Sequence, residues 1–150
     1  MKKTLVLLLC TFSWLTTSAL AQDELTINKL AENPGTKAEF QKMVAGQHIP
    51  EWVIQGGTDS PARKVNIAGA PYLVLFSCKP HDCASQRIAV LYGTETKKIA
   101  GVLSSTEEKE GNEKLQWLNI PDELSIDGKT VLFSALTGSL DNHPDSFNFK

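Results

Sequence analysis

Two strongly apolar runs, residues 72–76 and 87–92, stand on either side of a hexapeptide bounded by cysteines, Cys78-Lys79-Pro80-His81-Asp82-Cys83. Unbroken apolar runs of this length are what strands covered on both faces look like. Short turns between such runs favour antiparallel hairpins, because a parallel pair needs a crossover of about a dozen residues or more. If the two cysteines are joined, they close a small ring whose middle must project outward. That middle carries a proline, a histidine and an aspartate. A constrained loop of this kind is built either to enter something or to do chemistry.

The compartment decides whether the ring closes. Met1-Lys2-Lys3 is a short positive segment, and residues 4–15 are mostly apolar. Ser18-Ala19-Leu20-Ala21 ends in an Ala-x-Ala cleavage pattern, followed by the polar Gln22-Asp23-Glu24. This is the pattern of a secretory signal peptide, and it is too short for a good membrane span. Cleavage is expected after Ala21, leaving residues 22–150 as a single exported domain with no membrane anchor. Cys10 lies inside the apolar segment and leaves with it. Leu9 stands before it where a lipoprotein cysteine needs a small residue. Cys78 and Cys83 then remain as an even pair in oxidising surroundings, and a bridge between them is expected. Closing so short a loop stabilises a fold by only about 2 kcal/mol. A domain of this length buries an adequate core without staples. The bridge is better explained as shaping the loop than as holding the fold.

The remaining pattern places helices first, then strands, then a helix. Thr36-Lys37-Ala38-Glu39 fits a capping box, with Phe40, Met43 and Val44 at helical spacing and Gly46 as a stop. Pro50 fits the first position of a second short helix, which Gly56-Gly57 would end. Residues 63–68 alternate, with Val65 and Ile67 on one face, and Gly69-Ala70 reads as a tight turn. After the cysteine loop and the run at 87–92, the turn at 93–96 leads into residues 99–103. Residues 113–119 form a further strand candidate, with Leu115 and Trp117 on one face. Asp127 is positioned to cap a helix carrying Val131, Leu132, Ala135 and Leu136. The tail from Asp141 is polar and turn-rich, and His143-Pro144-Asp145 reads as a turn. Segregated helices and antiparallel strands predict an α+β domain.

Charge narrows the partners. The full chain has a formal charge of −2, and loss of Lys2 and Lys3 takes it to −4. There is no basic stripe, which argues against nucleic acid. A mildly acidic body favours a cationic partner, chiefly by steering.

Three chemistries could use such a loop. As a metal site it crowds Cys78, His81, Asp82 and Cys83 into six residues stiffened by Pro80, and oxidised cysteines are not ligands. As a redox site it has four residues between the cysteines rather than two, and a strand follows rather than a helix. As an acid–base pair, His81 and Asp82 sit on a projecting tip rather than in a cleft. No nucleophile motif accompanies them. The residues alone leave a stapled hairpin with ordinary surface side chains, or a protruding recognition loop.

The hexapeptide, followed by Ser85-Gln86-Arg87-Ile88-Ala89-Val90, resembles the signature of the inhibitor of vertebrate lysozyme (Ivy) family. The similarity continues through Pro50-x-Trp52-Val53 and residues 124–133, 135–140 and 142–145, so it covers essentially all of residues 22–150. The resemblance implies a periplasmic proteinaceous inhibitor of C-type lysozymes, with an antiparallel sheet flanked by helices and a disulfide-stapled protruding loop. It implies that Cys78, Lys79, Pro80, His81, Asp82 and Cys83 enter the lysozyme cleft, with His81 meeting the catalytic carboxylates. It further implies restraint of the cell's own lytic transglycosylases in some relatives. Some relatives are dimers and others monomers, which leaves a homodimer open. No enzymatic activity, cofactor or metal is expected. The bottom-up chemistry agrees. Lysozymes cut a glycan between two carboxyl groups of differing pKa, and a narrow preorganised projection suits their cleft. His81 supplies donors and can become cationic beside carboxylates. Asp82 could orient His81 or meet a cationic group, and Lys79 could meet a carboxylate. The competing reading is a periplasmic peptidoglycan-binding or glycan-acting protein that uses His81 and Asp82 on the glycan itself.

Overall fold

In the computed structural model, which describes residues 24–107 and 111–150, five strands follow one another through a single antiparallel sheet. They are β1 (Thr58–Ile67), β2 (Ala70–Cys78), β3 (Gln86–Gly93), β4 (Ile99–Thr106) and β5 (Glu113–Leu118). Their spatial order is their chain order, so every link is a hairpin. Among the described residues, three short α-helices precede the sheet: α1 (Ile27–Glu32), α2 (Lys37–Val44) and α3 (Glu51–Gln55). Two follow it, α4 (Asp127–Thr137) and α5 (Ser139–Asn142). The α+β architecture expected from the sequence is present.

The two helix groups cover opposite faces of the sheet, which explains the unbroken apolar runs. Val74 and Leu91 face a core completed by Val131, Leu132 and Leu136 of α4. Leu75, Ile88 and Val90 face a second core completed by Leu30 of α1, Phe40 and Met43 of α2 and Val53 of α3. Successive side chains of a strand alternate between faces, so β2 and β3 must be apolar at nearly every position. Each fully buried side chain of this size contributes about 1.5–3 kcal/mol. Gly101 lets α2 approach β4: a Cβ there would lie 2.9 Å from the Ala89 carbonyl oxygen and 3.2 Å from Met43 Sδ.

Several local expectations are corrected. Thr36 stands at the N-cap of α2, but its hydroxyl donates to the Leu30 carbonyl at 2.8 Å and makes no capping box. The hydroxyl is buried between α1 and α2 and satisfies a carbonyl of α1 instead. Pro50 is the residue before α3 rather than its first. Asp127 lies in the first turn of α4 and Ile126 occupies the cap. The β1–β2 turn is Ala68-Gly69, both at positive φ, with Ile67 paired to Ala70. That is a two-residue hairpin whose mirror-image turn matches strand twist. β1 begins at Thr58, well before residue 63, and absorbs Pro61-Ala62 in a bulge between Ser60 and Arg63. An edge strand tolerates a proline at such a point. The tail is less detached than its polarity suggests, because Phe149 bridges Ile67 and Phe147 packs on the α4-side core. The proposed signal segment, residues 1–21, lies outside the described residues. Among those described, no helix is long and apolar enough to cross a membrane.

Candidate functional site

The segment between β2 and β3 carries the hexapeptide, and the Cys78–Cys83 disulfide closes it. Cys78 ends β2 and is buried, whereas Cys83 is exposed. With both sulfurs in the bridge, neither is a thiolate ligand or nucleophile. Inside the ring, Asp82 N–H donates to the Lys79 carbonyl at 3.0 Å. Pro80 and His81 are the central residues of that turn, and His81 has φ +63°. A proline followed by a positive φ is the type II arrangement, whose third position normally takes glycine or asparagine. A histidine there costs about 1–2 kcal/mol relative to ordinary backbone. Such strain persists where the surroundings over-determine it. Here the disulfide and the fixed φ of Pro80 do so. The result is an exposed imidazole held at the apex of the ring.

A second layer of contacts holds the foot of the loop. Lys79 N–H donates to the Gln86 carbonyl at 3.0 Å, and the Ser85 and Gln86 amides reach the Asp82 carbonyl at 3.3 and 3.4 Å. Thr106 N–H donates to the Ser85 carbonyl at 2.8 Å, tying the loop to the end of β4. The Trp52 indole N–H donates to Gln86 Oε1 at 2.7 Å, anchoring the foot to α3. Gly57 completes the junction, since a Cβ there would lie 2.7 Å from the Cys78 carbonyl oxygen and would also strike the Ser77 hydroxyl. Beside the foot, the Arg87 guanidinium donates to the Leu136 carbonyl of α4 at 3.0 Å and to Glu113 of β5 at 2.8 Å.

The charged loop residues serve each other. Lys79 Nζ lies 3.1 Å from Asp82 Oδ2. The Asp82 carboxyl is held below the usual aspartate range, first by a hydrogen bond from the Ser85 side chain and then by Lys79. Asp82 is therefore committed to the turn and does not orient His81. Of the loop's polar side chains, His81 alone is left pointing outward without an internal partner among the described residues. His48 and His143 are also exposed, on separate segments. His143 precedes a short 3₁₀ turn at Pro144–Phe147, in keeping with the turn read from its tripeptide.

Sequence reasoning found the ring and its tip but missed its supports. Ser85 and Gln86 stand in the loop signature and Gly57 in a helix stop, but the contacts by which Trp52, Gln86 and Gly57 hold the foot of the loop are not written in the sequence. The signal for Gly57 was available in part: two adjacent glycines exceed what one helix stop needs.

Comparison with known proteins then bears on this geometry. The family model described as "Inhibitor of vertebrate lysozyme (Ivy)" matches residues 35–134. A protein of Escherichia coli named "Inhibitor of vertebrate lysozyme" is 57% identical over 134 residues, which is 89% of this chain and 85% of that protein. A Pseudomonas aeruginosa protein of the same name is 33% identical over 86 residues, 56% of each chain. The chain belongs to the inhibitor of vertebrate lysozyme family.

Proposed function

We propose that this Ivy-family chain is a periplasmic inhibitor of a C-type lysozyme, exported by a leader cleaved after Ala21, that closes the enzyme's cleft with its Cys78–Cys83 loop. The observation that carries this reading is the imidazole of His81, held exposed in a left-handed conformation at the tip of a stapled ring. A lysozyme cleft narrows onto two carboxyl groups, one of them kept protonated by its surroundings. An imidazole presents N–H donors to such a pair and carries positive charge once protonated beside it. Pro80 and the bridge fix the approach, so little ordering is required when the loop docks. Lys79 and Asp82 stabilise the turn and keep the tip narrow. The acidic body raises the rate of encounter with a basic enzyme. Endogenous lytic transglycosylases present a related glycan cleft and are proposed as further targets.

The glycan-acting alternative fares worse on the same geometry. General acid–base work needs His81 and Asp82 to act together in a cleft. The tip is convex, and Asp82 is engaged by Ser85 and Lys79.

Titrating the purified protein into a cell-wall lysis assay with a C-type lysozyme tests the proposal. Inhibition should reach a sharp equivalence point near one to one. Release of muropeptides by this protein alone, or no effect on any C-type lysozyme, would refute it.

A further inference from the structure

A cleft of about 370 Å³ opens at the foot of the loop, lined in part by His48, Gln86, Ser105 and Lys114. The sheet register explains why these polar residues gather. Gln86 of β3 pairs with Ser105 of β4, and Ser105 pairs with Lys114 of β5. Paired residues point to the same face, so the three side chains form a row across the loop end of the sheet. His48, in the link between α2 and α3, faces this row across the cleft.

Trp52 sets the chemistry of the row. An indole N–H can only donate, so the Gln86 oxygen must face it, and the Gln86 amino group with its two N–H donors is turned the other way. Lys114 is exposed and makes no ion pair among the described residues. Gln116 also lines the cleft and adds an acceptor oxygen, since its amide donates to Gln47 at 2.7 Å; the Gln86 amide, the Lys114 ammonium, the His48 ring and the Ser105 hydroxyl supply more donors than that oxygen uses. Such a surface takes an acceptor, and a charged acceptor most strongly.

The cleft is also registered to the tip. Gln86 uses its backbone N–H on Asp82 and its backbone carbonyl on Lys79, so one residue belongs both to the loop's foot and to the cleft wall. A partner lip that reaches from the loop onto this face of the sheet meets Gln86 first.

We propose that this donor-lined cleft is a second anchoring site for the lysozyme, accepting a carboxylate side chain or a main-chain carbonyl from the lip of the enzyme's cleft. The inference rests on the reading of the loop as the lysozyme-binding element. It adds His48, Ser105 and Lys114, which the loop signature does not contain.

The test is binding kinetics of Lys114→Glu against immobilised C-type lysozyme, run beside His81→Ala. The dissociation rate is the readout, because long-range charge acts mainly on association. Lys114→Glu should speed dissociation about tenfold or more, since it puts a carboxylate against the acceptor. Its melting temperature should match the wild type, because Lys114 is exposed. Ser105→Tyr, which fills the cleft without changing charge, should also speed dissociation in a variant whose melt is retained. If His81→Ala weakens binding while both cleft variants dissociate within twofold of wild type, the second anchor is refuted and the loop reading stands. If none of the three variants alters dissociation, the loop reading itself fails. If soluble muropeptide alone perturbs the Gln86 and Lys114 side-chain resonances and the cleft variants leave lysozyme binding intact, the cleft is a glycan site and the proposal is overturned.

Discussion

Replacing His81 separates binding from folding. Its side chain is exposed and has no hydrogen-bond or ion-pair partner among the described residues. Truncation to alanine therefore removes no folded-state packing, and stability should stay within about 0.5 kcal/mol of wild type. Glycine at the same position relieves the left-handed backbone at φ +63° and should stabilise by up to about 1 kcal/mol. For a chain of this size that is about 2–4 °C in Tm. Binding should run the other way. In the complex, losing one partner from a desolvated, charge-assisted contact costs about 2–5 kcal/mol, mostly through faster dissociation. That corresponds to a rise in Kd of about 30-fold to about 5,000-fold, expected for both Ala and Gly. His143→Ala should change neither quantity. Surface-bound kinetics and thermal melts on the same preparations decide the matter. An alanine variant that binds within twofold of wild type would show that the loop acts by shape alone. One that melts far below wild type would show that His81 is structural.

Three further outcomes are expected. Asp82 titrates below its ordinary value in the folded chain, so its contribution to the loop is complete above the unfolded value of about 3.9 and is lost as pH falls through the lower folded value. The protection factors of the Asp82 and Gln86 amides, taken relative to the intrinsic exchange rate at each pH, should fall only in that acid window, and in Asp82→Asn they should already be lower at neutral pH. Unchanged loop protection in Asp82→Asn would refute the role given to the carboxylate. Gly57→Ala should destabilise by about 1–3 kcal/mol through overpacking against the Cys78 carbonyl, and a denaturant melt indistinguishable from wild type would refute the junction described. Intact mass of the exported protein should correspond to a chain starting at Gln22 with Cys78 and Cys83 joined, so two free thiols in the native protein, or a start far from residue 22, would count against both expectations.

The parts of this architecture that were legible in the sequence are those written in strong periodicity. The runs of β2 and β3 have to be apolar at nearly every position because helices cover both faces, and that pattern survives without coordinates. α1 was not legible, because six residues offer only Ile27 and Leu30 as a helical pair. The early start of β1 was hidden by Pro61, which interrupts the strand pattern and is accommodated only by the bulge at Pro61-Ala62. Thr36 shows the limit of a capping motif: its sequence context is met, but a buried carbonyl of α1 competes for the same hydroxyl. At the site, the ring and its exposed tip were legible because cysteine count, proline and chain order are sequence properties. The roles of Asp82, Gln86 and Trp52 were not, since each depends on a partner chosen by three-dimensional proximity.

The energetics explain why so small a loop is so heavily constrained. Closing the ring restricts the unfolded chain by about 2 kcal/mol, and the left-handed His81 costs about 1–2 kcal/mol. The loop's net effect on folding is therefore close to zero, comparable to less than one buried leucine among the many in the two cores. For docking the comparison is different. Ordering residues 79–82 from a flexible state would cost about 1–2 kcal/mol each, or about 4–8 kcal/mol together. That is about three to six decades of affinity, which the turn, the ring and the Trp52–Gln86 anchor remove before any partner arrives. A device with almost no effect on stability and so large an effect on docking is what a recognition loop requires, and it is more than an ordinary hairpin connection needs.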